Sequence, residues 1–137
     1  MKTIQSKTIS GALLAAVFIL IPCISFCQNH KGLPSIEVLE AATQNTLGIN
    51  AGYYVKFQNK SQKSIDGVKW KVDFLDNFGT NKGTRDGQWQ SGNFTKPVEP
   101  GDTMKDLEGV WVEGATKIVV TIKEVHFTDG TSQKAKK

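Results

Sequence analysis

The chain has 137 residues, 39% hydrophobic and 22% charged, with 17 Lys and Arg against 13 Asp and Glu for a formal charge of +4. That length suits a single domain of ordinary size. The charge does not single out a polyanion partner, because Lys2 and Lys7 belong to the N-terminal leader and Lys134, Lys136 and Lys137 to the tail. The residues between carry 12 basic against 13 acidic groups, so the core is nearly neutral and gives no sign of the concentrated basic face of a nucleic-acid binder; no nucleic-acid partner is expected.

The leader comes first. Lys2 and Lys7 make a basic start, Ala12 to Ile21 is an unbroken apolar run, and Ser25 with Cys27 place small residues at the −3 and −1 positions before Gln28. This is the layout of a secretory signal peptide over residues 1–27, cleaved after Cys27, which predicts a periplasmic or extracellular protein with no stable membrane insertion after processing. Pro22 interrupts the apolar run well short of the roughly 20 residues that span a bilayer. A lipoprotein leader is similar in layout, but Pro22 precedes Cys23 and Phe26 precedes Cys27 where that pattern has a small residue. Both cysteines fall inside the leader, so the exported domain has to hold together by packing, without a disulfide.

Residues 28–34 read as a flexible lead-in, and the domain proper as residues 35–133, where the hydrophobic period is two. A first strand is expected from Ser35 to Ala41, with Ile36, Val38 and Glu40 to one side and Glu37, Leu39 and Ala41 to the other, leaving its inward side open. Tyr53, Val55 and Phe57 alternate with Tyr54, Lys56 and Gln58, and Val68, Trp70, Val72 and Phe74 with Lys69, Lys71 and Asp73. These are half-buried strands. Further strands are expected over Gly87–Phe94, Thr103–Leu107 and Val110–Val112. Near the end, Ile118, Val120 and Ile122 are followed by Val125 and Phe127, displaced by one position, and a bulge at Lys123 and Glu124 would restore their inward direction. Turn residues punctuate the runs at Asn59–Ser64, Asp66–Gly67, Asn77–Gly83, Asp86–Gly87, Pro100–Gly101 and Asp129–Gly130. The pattern predicts an all-β, immunoglobulin-like antiparallel sandwich of seven or eight short strands, followed by a basic tail at residues 134–137.

Phe57-Gln58-Asn59-Lys60-Ser61, then Val68–Val72, then Phe74-Leu75-Asp76 with Gly79, and later Pro100-Gly101 form a layout that resembles the FxLYD-type domains and related small immunoglobulin-like domains of bacterial envelope proteins. The shared pieces are a strand ending in Asn-x-Ser, a strand ending in an apolar pair with Asp and Gly, and a Pro-Gly turn before a later strand. The family's Leu-Tyr-Asp stands here as Phe74, Leu75 and Asp76. The resemblance implies an extracytoplasmic β-sandwich without an established catalytic set.

The parts available for catalysis are few. His30 lies in the lead-in and His126 alternates outward between Val125 and Phe127, and neither has an oriented partner in the sequence of the kind a general base needs. Ser61, Ser64, Ser91 and Ser132 sit in turns or loops, outside any G-x-S-x-G setting. The carboxylates fall mostly in turns and give no acid–base pair of the glycosidase kind. The loop Asp76, Asn77, Gly79, Asn81 and Asp86 is rich in oxygen ligands, but its spacing departs from the calcium loop and it carries Lys82 and Arg85. No enzyme activity, metal or cofactor is expected.

Binding surfaces are the remaining source of function. Trp70 shares its face with Val68, Val72 and Phe74 and is read as the core tryptophan of the sandwich. Trp89 and Trp111, with Tyr54, Gln88 and Gln90, are the candidates for a carbohydrate site, since flat rings beside amides suit a pyranose; the alternative is that both tryptophans close the edge of a small core. Lys56, Lys69 and Lys71 alternate outward and make a candidate docking face for an acidic envelope protein or an anionic glycan. The sequence therefore predicts a secreted, non-catalytic module with a structural or protein-binding role, with carbohydrate binding as its alternative, and leaves the oligomeric state open.

Overall fold

The computed structural model describes residues 30–46, 49–110 and 112–136, and the described residues are all-β. Seven strands run in order: β1 (Ile36–Thr46), β2 (Ile49–Asn59), β3 (Ile65–Leu75), β4 (Asn81–Gln90), β5 (Thr103–Glu108), β6 (Lys117–Phe127) and β7 (Ser132–Lys134). They form two antiparallel sheets, β1-β2-β5 and β4-β3-β6-β7. This is the immunoglobulin-like sandwich expected, with its fourth strand paired to the third rather than to the fifth.

Alternation explains the core. Tyr53, Val55 and Phe57 of β2 face Val68, Trp70, Val72 and Phe74 of β3 and Ile118, Val120, Ile122 and Val125 of β6, all buried. The Phe57 and Trp70 rings are 5.1 Å apart, and Tyr53 meets Phe74 edge-on at 5.5 Å. Such aromatic contacts add to an area term of about 1.5–3 kcal/mol for each large side chain buried. Trp70, 1% exposed, is central as predicted. The bulge is also where the pattern placed it: Lys69 pairs with Glu124 and Trp70 with Ile122, leaving Lys123 as the extra residue. A second bulge, at Leu39, explains the two-sided first strand. It shifts the register between Val38 and Glu40, so that Ile36 and Val38 before it and Ala41 after it all turn inward.

Several local expectations need correction. Asp66–Gly67 and Asp86–Gly87 are not turns but lie inside β3 and β4. Gly87 is a strand residue because the cross-strand Trp70 indole occupies the place of its side chain: a Cβ there would stand 2.3 Å from Trp70 Nε1. The fourth strand begins six residues before the expected Gly87 and stops at Gln90 instead of Phe94. Val110 and Val112 are not in a strand, although both pack on the core. The leader and Trp111 lie outside the described residues.

Residues 30–31, read from the sequence as part of the lead-in, add a parallel bridge to the edge of β6. Lys31 N–H donates to the Val120 carbonyl at 3.0 Å, the Lys31 carbonyl accepts from Ile122 N–H at 2.8 Å, and Val120 N–H donates to His30 Nδ1 at 3.1 Å. β7 pairs with Glu124–His126 further along that edge, and Lys134, counted with the tail, is its last residue.

The Asn-x-Ser and Pro-Gly motifs interlock. Asn59 is buried, and its amide nitrogen donates to the carbonyls of Lys63 and Val98 at 2.8 Å each, while its oxygen accepts from Ser61 N–H and Ser61 Oγ. Its backbone N–H donates to the Asp102 carbonyl and its carbonyl accepts from Gly101 N–H, both at 2.9 Å. Val98 in turn exchanges two backbone bonds with Ile65 at the start of β3. One side chain at the end of β2 thus ties the two sheets together and satisfies polar groups that burial would otherwise penalise.

Candidate functional site

The outer face of the four-stranded sheet carries a recess of about 250 Å³. It exists because Gly67 interrupts the cross-strand row Gln90–Gly67–His126 and leaves backbone as the floor between two side-chain walls. Those walls stand two strand spacings apart, roughly 10 Å. Gln88 and Gln90 of β4 form one wall; Glu124 and His126 of β6 form the other, with Lys69 of β3 beside the gap and Trp89 at its margin.

The two walls differ in chemistry. On the β6 side the polar groups are partnered: His126 Nδ1 lies 2.6 Å from Asp66 Oδ1, and Glu124 meets Lys69 at 3.6 Å and Lys134 at 3.4 Å. Burial alone would raise the Glu124 carboxyl, but Lys134 and Lys69 bring it below the ordinary carboxylate value. Asp66 reaches His126 because β3 has an extra residue between Ile65 and Gly67. On the β4 side the amides of Gln88 and Gln90 make no side-chain hydrogen bond among the described residues and remain exposed. None of the lining residues carries a hydroxyl or thiol. The recess offers donors and acceptors for a ligand and no nucleophile to go with the Asp66–His126 pair.

The residues predicted as one sugar site are divided. Gln88, Gln90 and Trp89 meet at the recess, but Trp89 faces the core side of β4, opposite Val68, and is half-buried against the core. It closes the sandwich edge with its ring and offers only part of itself to the recess. Tyr54 is on the other sheet, where it donates to Glu40 and lies 3.8 Å beneath Lys105 Nζ. Trp111 lies outside the described residues. The lysine face divides as well: β2 pairs with β1 and β5 and not with β3, so Lys56 sits on the outer face of the three-stranded sheet and Lys69 and Lys71 on the opposite side of the molecule. Lys71 is held by Asp73 at 3.0 Å, and only Lys69 reaches the recess.

The fold has a counterpart. A crystal structure of a hypothetical protein from Peptoclostridium difficile 630 is similar to this chain with a TM-score of 0.57 and 12% identity, covering 77% of this chain and 88% of that one. At that identity the likeness is one of fold. No protein-family model and no curated protein matches the chain.

Sequence reasoning missed Asp66, Glu124 and His126 as a group. The bulge at Lys123 was the signal for two of them, because it sets Glu124 against Lys69 and His126 against Gly67. Asp66–Gly67 hid the third by imitating a turn. The oxygen-rich loop has a structural use instead: Asp76 Oδ1 accepts from Phe78 N–H and Thr80 N–H at 2.9 Å, and these bonds, led by that from Thr80, outweigh burial and lower its pKa.

Proposed function

We propose that this chain is an extracytoplasmic, non-catalytic binding module that holds a partner protein on the outer face of its four-stranded sheet. The observation that carries the reading is the recess at Gly67, where the unbonded amides of Gln88 and Gln90 face an ion-paired wall. The leader at residues 1–27 and the resemblance of the Asn59–Ser61 and Pro100–Gly101 motifs to FxLYD-type envelope domains support export and an envelope partner. Filling the recess tests it. A Cβ at Gly67 meets only His126 Cβ at 3.4 Å and the Trp89 carbonyl at 3.8 Å, so the strand has room for a side chain there, and Gly67→Val puts methyl groups into the gap. Capture of solubilised envelope proteins by the processed chain should be lost with Gly67→Val while its unfolding midpoint is kept; undiminished capture would refute the reading.

A second reading, glycan binding, rests on the same exposed amides of Gln88 and Gln90, with Trp89 between them contributing backbone to the recess and its ring to the core side. Tryptophan emission during titration with soluble peptidoglycan fragments or neutral oligosaccharides tests it. A shift that Gly67→Val abolishes supports a glycan, and a flat titration leaves the protein partner.

A further inference from the structure

The four edges of the two sheets are not protected alike. β1 is bulged at Val38/Glu40 and again at Gln44/Asn45. β5 has only six residues, and its inward side, opposite Tyr53 and Val55, carries Glu108 and Asp106. β7 has three residues, one of them a lysine. Short length, bulges and inward charges are the devices that keep sheet edges from pairing with other chains. β4 has ten residues; its lysine, Lys82, and its register shift lie at its start, and the eight residues from Gly83 to Gln90 pair with β3 without a shift and carry one inward charge, Arg85.

The free side of β4 can be read from the bonds at its ends. Ser91 N–H donates to the Asp66 carbonyl, so by strand alternation the odd-numbered residues of β4 bond to β3 and the even-numbered ones turn to the open edge. Two contacts agree: the Thr84 carbonyl accepts from the Arg85 guanidinium and the Gln90 carbonyl from Thr95 Oγ1. Asp86 and Gln88 are left in the middle with their backbone groups open.

We propose that β4 pairs antiparallel with β4 of a second copy of this chain, about a two-fold axis at Gly87, joining two four-stranded sheets into one. Side-chain chemistry selects the occupant and the register. An axis at Asp86 would oppose two carboxylates and an axis at Arg85 two guanidinium groups, which is unfavourable for directly opposite residues. With the axis at Gly87, Asp86 stands opposite Gln88 of the second copy, an acceptor against an amide. Arg85, the one charged residue on the inner side between Gly83 and Gln90, stands opposite Trp89 of the second copy, where a guanidinium is attracted to an indole face. Asp86 and Gln88 then exchange about four backbone bonds across the axis. The pair at the axis is a non-bonded one, where the chains come closest, and there both residues are glycine. An isologous contact of this kind closes on itself as a dimer and does not propagate.

Sedimentation equilibrium and light scattering on the processed chain, at concentrations rising towards millimolar, test the proposal. A monomer–dimer equilibrium is expected, with exchange of the Asp86 and Gln88 amides slowing as concentration rises. Gln88→Pro deletes an edge-facing N–H and leaves the β3 ladder intact, and Gly87 before it has no Cβ to clash with the ring. It removes about two of the bonds in the dimer and should weaken association roughly tenfold or more. Asp86→Lys with Gln88→Lys sets like charges across the axis without touching the backbone and should give the same result if the proline variant does not fold. A wild-type chain that stays monomeric, or a dimer that survives both variants, would overturn the proposal. The Gly67→Val assay reads partner capture and is independent of this outcome.

Discussion

Alanine in place of Gly87 and of Gly67 should change stability in opposite directions, although both glycines lie inside strands of one sheet. At Gly87 a new Cβ would stand 2.3, 2.4 and 2.8 Å from Nε1, Cε2 and Cζ2 of Trp70. Ordinary carbon contacts lie near 3.5–4.0 Å, so the indole has to move by about 1 Å, and it is buried against Phe57 at 5.1 Å. Overpacking of that kind costs about 1–3 kcal/mol, more than the about 0.5–1 kcal/mol that replacing a strand glycine returns. At Gly67 the nearest atom is 3.4 Å away and the return is kept. Urea and thermal unfolding of the two variants should therefore bracket the wild type. Each kcal/mol shifts the midpoint temperature of a domain this size by about 4–8 °C. Trp70→Phe removes the clashing ring atoms, so the cost of Gly87→Ala should shrink in that background, by a coupling of about 0.5–3 kcal/mol. If Gly87→Ala is as stable as Gly67→Ala, or the cycle shows no coupling, the indole does not lie over Gly87 and the account of the core fails.

Asn59→Ala removes four side-chain hydrogen bonds and leaves the Val98 carbonyl with Ile65 N–H and the Lys63 carbonyl with Ser61 Oγ as their remaining donors, which should cost about 2–4 kcal/mol in urea unfolding. The Asp106 carboxyl is raised by burial and then by Glu108, so its charged form is penalised only in the folded chain, and on its account stability improves as pH falls through the carboxylate range. Asp106→Asn should raise the urea midpoint at neutral pH, with the gain fading in acid; a gain independent of pH would refute the assignment. His30 is lowered by burial and accepts a bond from Val120 N–H through Nδ1, so its contribution is present above the ordinary imidazole value and lost as pH falls through the lower folded one. Hydrogen exchange at the Val120 amide should quicken there in the wild type and show no such pH step in His30→Gln.

The strands around the core were legible because alternation at Tyr53–Phe57, Val68–Phe74 and Ile118–Phe127 is dictated by which side chains can be buried, and even the bulge at Lys123 follows from it. The first six residues of β4 were not, because its inner positions are Gly83, Arg85, Gly87 and Trp89, and glycine in a strand looks like glycine in a turn until the indole filling its space is seen. The candidate site was half legible for the same reason. Gln88, Gln90 and Lys69 could be read as outward, but strand order assigned Tyr54 and Lys56 to the other sheet, and that order depends on pairings far apart in sequence. The recess itself is the absence of a side chain at Gly67, which no pattern of residue types displays.

Residues 28–137 contain no cysteine; whereas immunoglobulin domains join their sheets by a covalent cross-link in the core, this domain has the carboxamide of Asn59 at the end of β2, reaching 39 positions along the chain to Val98 between β4 and β5. Amides neither oxidise nor shuffle partners. Folding of residues 28–137 consequently asks nothing of thiol oxidases or isomerases, and reducing agents should leave the melting curve of that stretch where it stands, whatever the oxygen supply around it.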